Sequence, residues 1–345
     1  MNLTRQTAAL FVLIAGSLLL PATAPQAKTP EKDDIKPVLA RIALLEQTRK
    51  IERTAWRKFI RHDNATVRAA AVRGLGRTQD TRGMKLIKEA MEDGDVGVRM
   101  EAIFAYGQLP KGKLAPLVKR LEVESDLRVR ESLVEAMGKR AGLGDIPLLV
   151  SLADGKSAAL AGRALSGLGL LARREKVALP VISGKRIADW LGHEDVQVRF
   201  GAAYLLLRAE KMVDAEAFAA TARAAQDTDP EIRAMAMRAG GRFEQGGALR
   251  KAALTDSDWR VRVEALRAAA KRKEVDLIGL AMETHVAALI EGVAPPSTEE
   301  LQPGLTAANM ALKLPVAEAT TAVAKKLFEA SRTGRVLITD RKSVV

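Results

Sequence analysis

NATVRAAAVRGLG (Asn64–Gly76), DVGVRMEAIFAYG (Asp95–Gly107) and DLRVRESLVEAMG (Asp126–Gly138) are one segment written three times, with Arg68, Arg99 and Arg130 at an interval of 31 residues. A repeat of this period marks stacked supersecondary units rather than one globular core. Extending the frame by the same interval reaches Ala161, in a stretch (LAGRALSGLG) that keeps the apolar pattern and loses the arginine. Wider spacings then reach Arg199, Arg233 and Arg262, so about seven units are legible.

Each column has a physical reason. Three residues before the Val of Val-Arg stand Asn64, Asp95, Asp126, Ser157, Asp195, Asp229 and Asp258, every one a residue that can cap a helix N-terminus. Four after it come Ala71, Ala102, Leu133, Ala164, Ala202, Ala236 and Ala265, each followed by an apolar residue, which draws a buried stripe on one helical face. The near-constant alanine predicts a close helix contact. Gly76, Gly107, Gly138 and Gly169, with Gly241 later, are expected to stop their helices in a left-handed conformation, and GLG at Gly74 and Gly167 reads the same way. Pro230 follows Asp229 in the first turn, where a missing N–H costs least.

The other half of each unit is a less regular amphipathic segment, such as TRGMKLIKEAM (Thr81–Met91) or KLAPLVKRL (Lys113–Leu121). A pair of antiparallel helices this short cannot bury a core alone and must stack on its neighbours. The arginine column is expected to reach capping aspartates of its own or the adjacent unit, through Arg68, Asp95, Arg99, Asp126, Arg130, Asp195, Arg199, Asp229, Arg233, Asp258 and Arg262. The fourth unit, with Ala161, Ser157 and a following insertion around Pro180 and Gly184, is expected to be the weak step.

These segments, together with DVQVRFGAAYLLL, DPEIRAMAMRAGG and DWRVRVEALRAAA, resemble HEAT repeats of the bacterial lyase-like kind over about Glu46 to Gly292. The resemblance implies an all-α, armadillo-type superhelix of about seven helix pairs. It implies a binding scaffold for a protein or peptide along the concave face, although the fold also hosts a few enzymes.

Outside the array, MNLTRQTAALFVLIAGSLLLPATAPQA (residues 1–27) has Arg5 before an apolar run from Ala8 to Leu20 and then small residues, which is the pattern of a secretory signal. An exported, periplasmic protein with no stable membrane insertion is expected, unless that signal stays uncleaved. Residues 28–45 read as a polar lead and helix, and Trp56 and Phe59 should face the first repeat. Residues 293–304 read as a Pro-rich linker, 305–333 as terminal helices, and 334–345 as a truncated end with a foreign tail. The order of signal, repeats and a closing Thr-Gly-strand segment is similar to exported proteins in which HEAT repeats precede a cyclophilin-type peptidyl-prolyl isomerase domain. On that resemblance the chain is the substrate-binding half of a larger enzyme.

Chemistry is sparse. With no cysteine there is neither a disulfide framework nor a Cys-His nucleophile, and three histidines, His62, His193 and His285, do not make a zinc pattern. His193-Glu194 is one His-Glu pair where HEAT-type di-iron hydroxylases need several. Trp190 or Trp259 could serve as stacking aromatics of a HEAT-fold DNA glycosylase, with packing between repeats the favoured use. No cofactor, metal or catalytic residue is expected. The net charge of +13 admits a polyanion or nucleic-acid partner, but solvated arginines on helix faces account for it better. A protein or peptide partner of acidic character is preferred, and nucleic acid is disfavoured.

Overall fold

The computed structural model describes residues 34–110, 112–176, 179, 182–285, 297–314 and 324–325. Among these residues the chain is all helical, with seventeen α-helices, three short 3-10 turns and no strand. The expected signal (1–27), the strand near 335–339 and the tail beyond it lie outside the described residues.

Seven helix pairs follow one another, and each second helix begins at the capping column. These second helices span Ala65–Thr78, Val96–Gln108, Leu127–Arg140, Ala158–Glu175, Val196–Arg208, Pro230–Gly240 and Trp259–Lys271. In six of the seven the cap closes as its chemistry dictates. Asp95 Oδ1 accepts from Val98 N at 3.0 Å, Asp195 from Gln197 N at 2.8 Å and Asp229 from Glu231 N at 2.8 Å. Asn64, Asp126 and Asp258 do the same in their turns. Such a cap is worth about 1 kcal/mol. Ser157 makes no side-chain cap bond.

The second helices form one continuous row, each packed on the next, while the first helix of each pair packs on its own partner. The column following the arginines is the floor of that packing: Ala71, Ala102, Leu133, Ala164, Ala202 and Ala265 are fully buried and Ala236 nearly so. The row runs past the seven pairs. Helix Lys36–Gln47 packs on Ala65–Thr78 at one end, and Thr298–Ala311 packs on Trp259–Lys271 and Val275–His285 at the other. Trp56 is completely buried at the start of the array, its Nε1 donating to Lys50 O at 2.9 Å and its ring edge-on to Phe59.

Three expectations are corrected. The glycines do not stop helices. Gly74, Gly76, Gly107, Gly138, Gly167 and Gly169 lie inside them without left-handed φ, and Gly241, at a helix end, has φ −63°. Their reason is proximity: a Cβ on Gly76 would lie 2.7 Å from Ala105 Cβ, and one on Gly138 2.5 Å from Gly167 Cα. Where a left-handed end does occur, Gln79 (φ 56°) and Lys176 (φ 54°) adopt it. The linker expected over 293–304 is instead helical from Thr298, and Pro303 sits inside that helix, its missing N–H tolerated because packing on two neighbours holds the segment. Gly184 is the first residue of helix Gly184–Trp190, capped by Ser183, rather than a loop residue.

Candidate binding surface

The arginine column works as a clamp, but its acid is not the capping residue. Arg68 directs Nη1 at His62 O and Asp63 O of its own turn, both at 2.9 Å, and closes its Nε/Nη2 edge on Asp93 of the next unit at 2.8 and 2.9 Å. Arg99 holds Glu124 in the same way at 3.0 and 3.2 Å, Arg199 holds Asp227, and Arg233 holds Asp256. Each of these acids stands two residues before a cap and also accepts that cap residue's N–H. Asp95, Asp126, Asp195, Asp229 and Asp258 therefore cap their own helices and take no arginine from the column. Asp126 and Asp258 instead hold Arg128 and Arg260 of their own first turns.

Arg130 and Arg262 occupy the same register. Arg130 reaches Glu124 O at 3.1 Å, and Arg262 reaches Asp256 O and Ser257 O. In the first and fifth units a histidine takes the place of the acid, His62 Nδ1 accepting from Asn64 N and His193 Nδ1 from Asp195 N. His193 is thereby a turn residue. Among the described residues no group of three or more His, Asp or Glu is placed to hold a metal.

Burial acts to raise Asp93, Glu124 and Asp256, yet these three sit below their ordinary values. For Asp93 the Arg68 guanidinium and the Asp95 N–H outweigh burial, and for Glu124 the Asp126 N–H with Arg99 and Arg120 does so. Asp126 and Asp258 are held down to about 2, first by the guanidinium two residues on and then by backbone N–H groups of the helix start.

A second set of arginines escaped the sequence reading. Arg140 points back to the C-terminal carbonyls of the preceding second helix, donating to Tyr106 O and Leu109 O, both at 2.8 Å, and to Gly112 O. Arg174 does the same to Lys139 O and Ala141 O, and Arg242 to Leu206 O. These cations are matched to helix C-terminal dipoles, with Arg174 also meeting Glu175 at 3.0 Å. Burial lowers Arg140 and brings Arg242 down to about 10. Part of the +13 surplus is thus held against carbonyls between units. A basic residue at each helix end was the available signal, but basic helix ends are common.

The exposed face of the second helices carries two larger hollows. One, of about 580 Å³, lies between Ala65–Thr78 and Val96–Gln108 and is lined by Arg73, Arg77, Met100, Glu101, Phe104 and Gln108. Phe104 is 54% exposed, with Lys139 Nζ 5.1 Å above its ring, whereas the nearby Tyr106 is fully buried with its hydroxyl bonded to Lys113 O. The cations at this hollow already meet acids: Arg73 with Glu101 at 2.5 Å, Arg77 with Glu46 at 2.9 Å, and Lys139 with Glu135 at 2.7 Å. The other hollow, of about 310 Å³, includes Glu131, Gly162, Arg163, Val196 and Phe200, and there Arg163 bridges Glu131 and Glu135. Neither tryptophan offered as a stacking aromatic lines them. Trp190 is buried and bonded to Asp154, and Trp259 lies half-buried in the first turn of its helix.

This architecture is a HEAT-repeat α-solenoid, and residues 54–138 match the family model for HEAT repeats. Among solved structures the chain is similar in fold to Kap95p in its complex with RanGDP, with 13% identity and a TM-score of 0.58 over 89% of this chain and 47% of that one. An Escherichia coli protein, YibA, gives 17% identity and a TM-score of 0.49 over 83% of this chain and 96% of that one. Human deoxyhypusine hydroxylase gives 16% and 0.33, over 80% and 98%. No curated protein matches the chain in sequence.

Proposed function

We propose that the chain is a scaffold that binds a protein or peptide along the exposed face of its second helices, with an apolar side chain of the partner seated beside Phe104. The observation that carries this reading is Phe104 itself, an aromatic ring left half in water at the edge of a hollow whose charges are already paired. Apolar contact, not net charge, then selects what binds there, which replaces the acidic preference for this face. That Kap95p binds RanGDP supports the capacity of this fold for protein partners. The apolar run of Ala8–Leu20 supports export of the scaffold.

A library of extended peptides immobilised against the full chain tests the reading. Peptides with a large apolar residue should bind, and Phe104→Ala should weaken them about tenfold or more, the loss expected when a central aromatic contact is truncated, while the melting temperature is unchanged. Binding that ignores Phe104→Ala, or a library with no binder, would overturn it.

A further inference from the structure

At four steps of the row an arginine fork closes on a carboxylate supplied by the next unit, and that carboxylate also accepts the N–H of the next cap: Asp93 from Asp95 N at 2.8 Å, Glu124 from Asp126 N at 3.0 Å, Asp227 from Asp229 N at 2.9 Å and Asp256 from Asp258 N at 2.9 Å. Between the third and fourth units the sequence places Gly155 at that position, two residues before Ser157. Arg130 is nonetheless held by its own turn, through Nη1 to Glu124 O. Among the described residues no carboxylate meets its remaining edge. The neighbouring acid, Asp154, is engaged elsewhere, by Arg186 and by Trp190 Nε1. Ser157 adds no side-chain cap to the long helix Ala158–Glu175.

By repeat register the Arg130 Nε/Nη2 edge and the Ser157 N–H stand where the donors of four other steps grip an internal carboxylate, with Gly155 in the place of the acid. A guanidinium edge and a backbone N–H converging on one place select a planar, bidentate anion. We infer that this step binds a carboxylate from outside the chain, the Asp or Glu side chain of a bound polypeptide. The inference rests on the scaffold reading and adds a polar anchor to it, at the turn edge of the third and fourth units and apart from Phe104.

The test uses the full chain and follows the Arg130 Nε–H and Ser157 N–H resonances at constant ionic strength. The probes are acetyl-Ala-Asp-Ala-amide, the same peptide with Asn, and inorganic phosphate. Saturable shifts of both groups with the Asp peptide are expected, at least tenfold weaker with the Asn peptide. Gly155→Asp builds the acid into the chain and should abolish the response. Its Cβ would lie 3.1 Å from Leu152 O, so the backbone must give by a few tenths of an ångström. Arg130→Gln should abolish the response as well and serves if the glycine variant does not fold. Equal response to Asp and Asn peptides, a response to phosphate without one to the Asp peptide, no response at all, or a response that survives these variants overturns the inference. Phe104→Ala should leave these shifts unchanged, so failure of the apolar hollow and failure of this anchor are read separately.

Discussion

Arg99 and Glu124, 25 residues apart in the chain, form a two-pronged ion pair at 3.0 and 3.2 Å, with side-chain exposures of 11% and 1%. The same carboxylate receives Arg120 at 2.6 Å and the N–H groups of Ser125 and Asp126. One buried acid thus joins the second unit to the third and shapes the turn that starts the next helix.

Removing the arginine should cost far more than removing an ordinary surface cation. Arg99→Ala leaves Glu124 buried with one fewer counter-charge, a class of change that costs about 3 to 5 kcal/mol, with Arg120 favouring the lower end. Arg267 is 57% exposed and pairs with Glu264 within its own helix, so Arg267→Ala should cost about 0 to 0.5 kcal/mol. Urea unfolding of the two variants measures the difference, and equal stabilities would show that the clamp does not hold the units together.

Gly138→Ala should be strongly destabilising. Its Cβ would meet the Gly167 backbone at 2.5 Å and force two helices apart, an overpacking worth about 1 to 3 kcal/mol or more. Gly94 has nothing within 4 Å of such a Cβ, and Gly94→Ala should change stability by about 0.5 kcal/mol at most. Thermal denaturation of the pair separates close approach from a general cost of replacing glycine.

Stability should fall in acid within a defined window. Asp93, Glu124 and Asp256 lie below their ordinary values in the folded state, and Asp126 and Asp258 at about 2. A depressed folded pKa contributes stability that is complete above the unfolded value, about 3.9 to 4.3 for these side chains, and is lost as the pH falls through the folded value. These carboxylates should therefore leave the melting temperature unchanged above about pH 5 and lower it between about pH 4.5 and 2, while His285, whose pKa burial lowers, adds a decline that begins as the pH falls below its unfolded value of about 6.5. In Asp93→Asn the melting temperature should be lower at pH 7 and its gap from the parent should narrow toward pH 2.5. A gap independent of pH would mean that the Asp93 charge contributes nothing.

The fourth unit should open locally, not throughout. Its helix start has no side-chain cap and no ion-pair clamp from the third unit, whereas its middle is locked by Gly167 against Gly138 and by Gly162 against the Gln197 backbone. Native-state hydrogen exchange should be fast for the first-turn amides of Ala158 to Leu160 and slow for Leu168 to Leu171. Slow exchange at the first turn, or fast exchange through the whole helix, would contradict this balance.

The repeat, its caps and its apolar columns were legible because each is a local signal. Asp229 followed by Pro230 sets a helix start whatever lies beside it, and the buried alanine stripe follows from helical period. The glycines were not legible. A glycine near the end of a helical pattern suits both a left-handed stop and a close crossing, and only the neighbour, such as Ala105 opposite Gly76, distinguishes them. The hollow at Phe104 was likewise invisible, since nothing in AIFAYG tells which of Phe104 and Tyr106 faces water.

The amino-acid sequence by itself determined that this chain is a row of helix pairs with a capping residue at each start and an arginine in six of the seven turns, because capping and periodicity act over a few residues. Only the tertiary structure decided where those arginines go. Four of them, Arg68, Arg99, Arg199 and Arg233, are held by an acid on the following unit, and the stacking brings to them the residue two before the cap and not the cap itself, whose carboxylate is already turned toward its own helix N–H groups. The same stacking brings Arg140, Arg174 and Arg242 onto the carbonyl ends of the previous helices, a pairing that no spacing encodes because its acceptor is backbone.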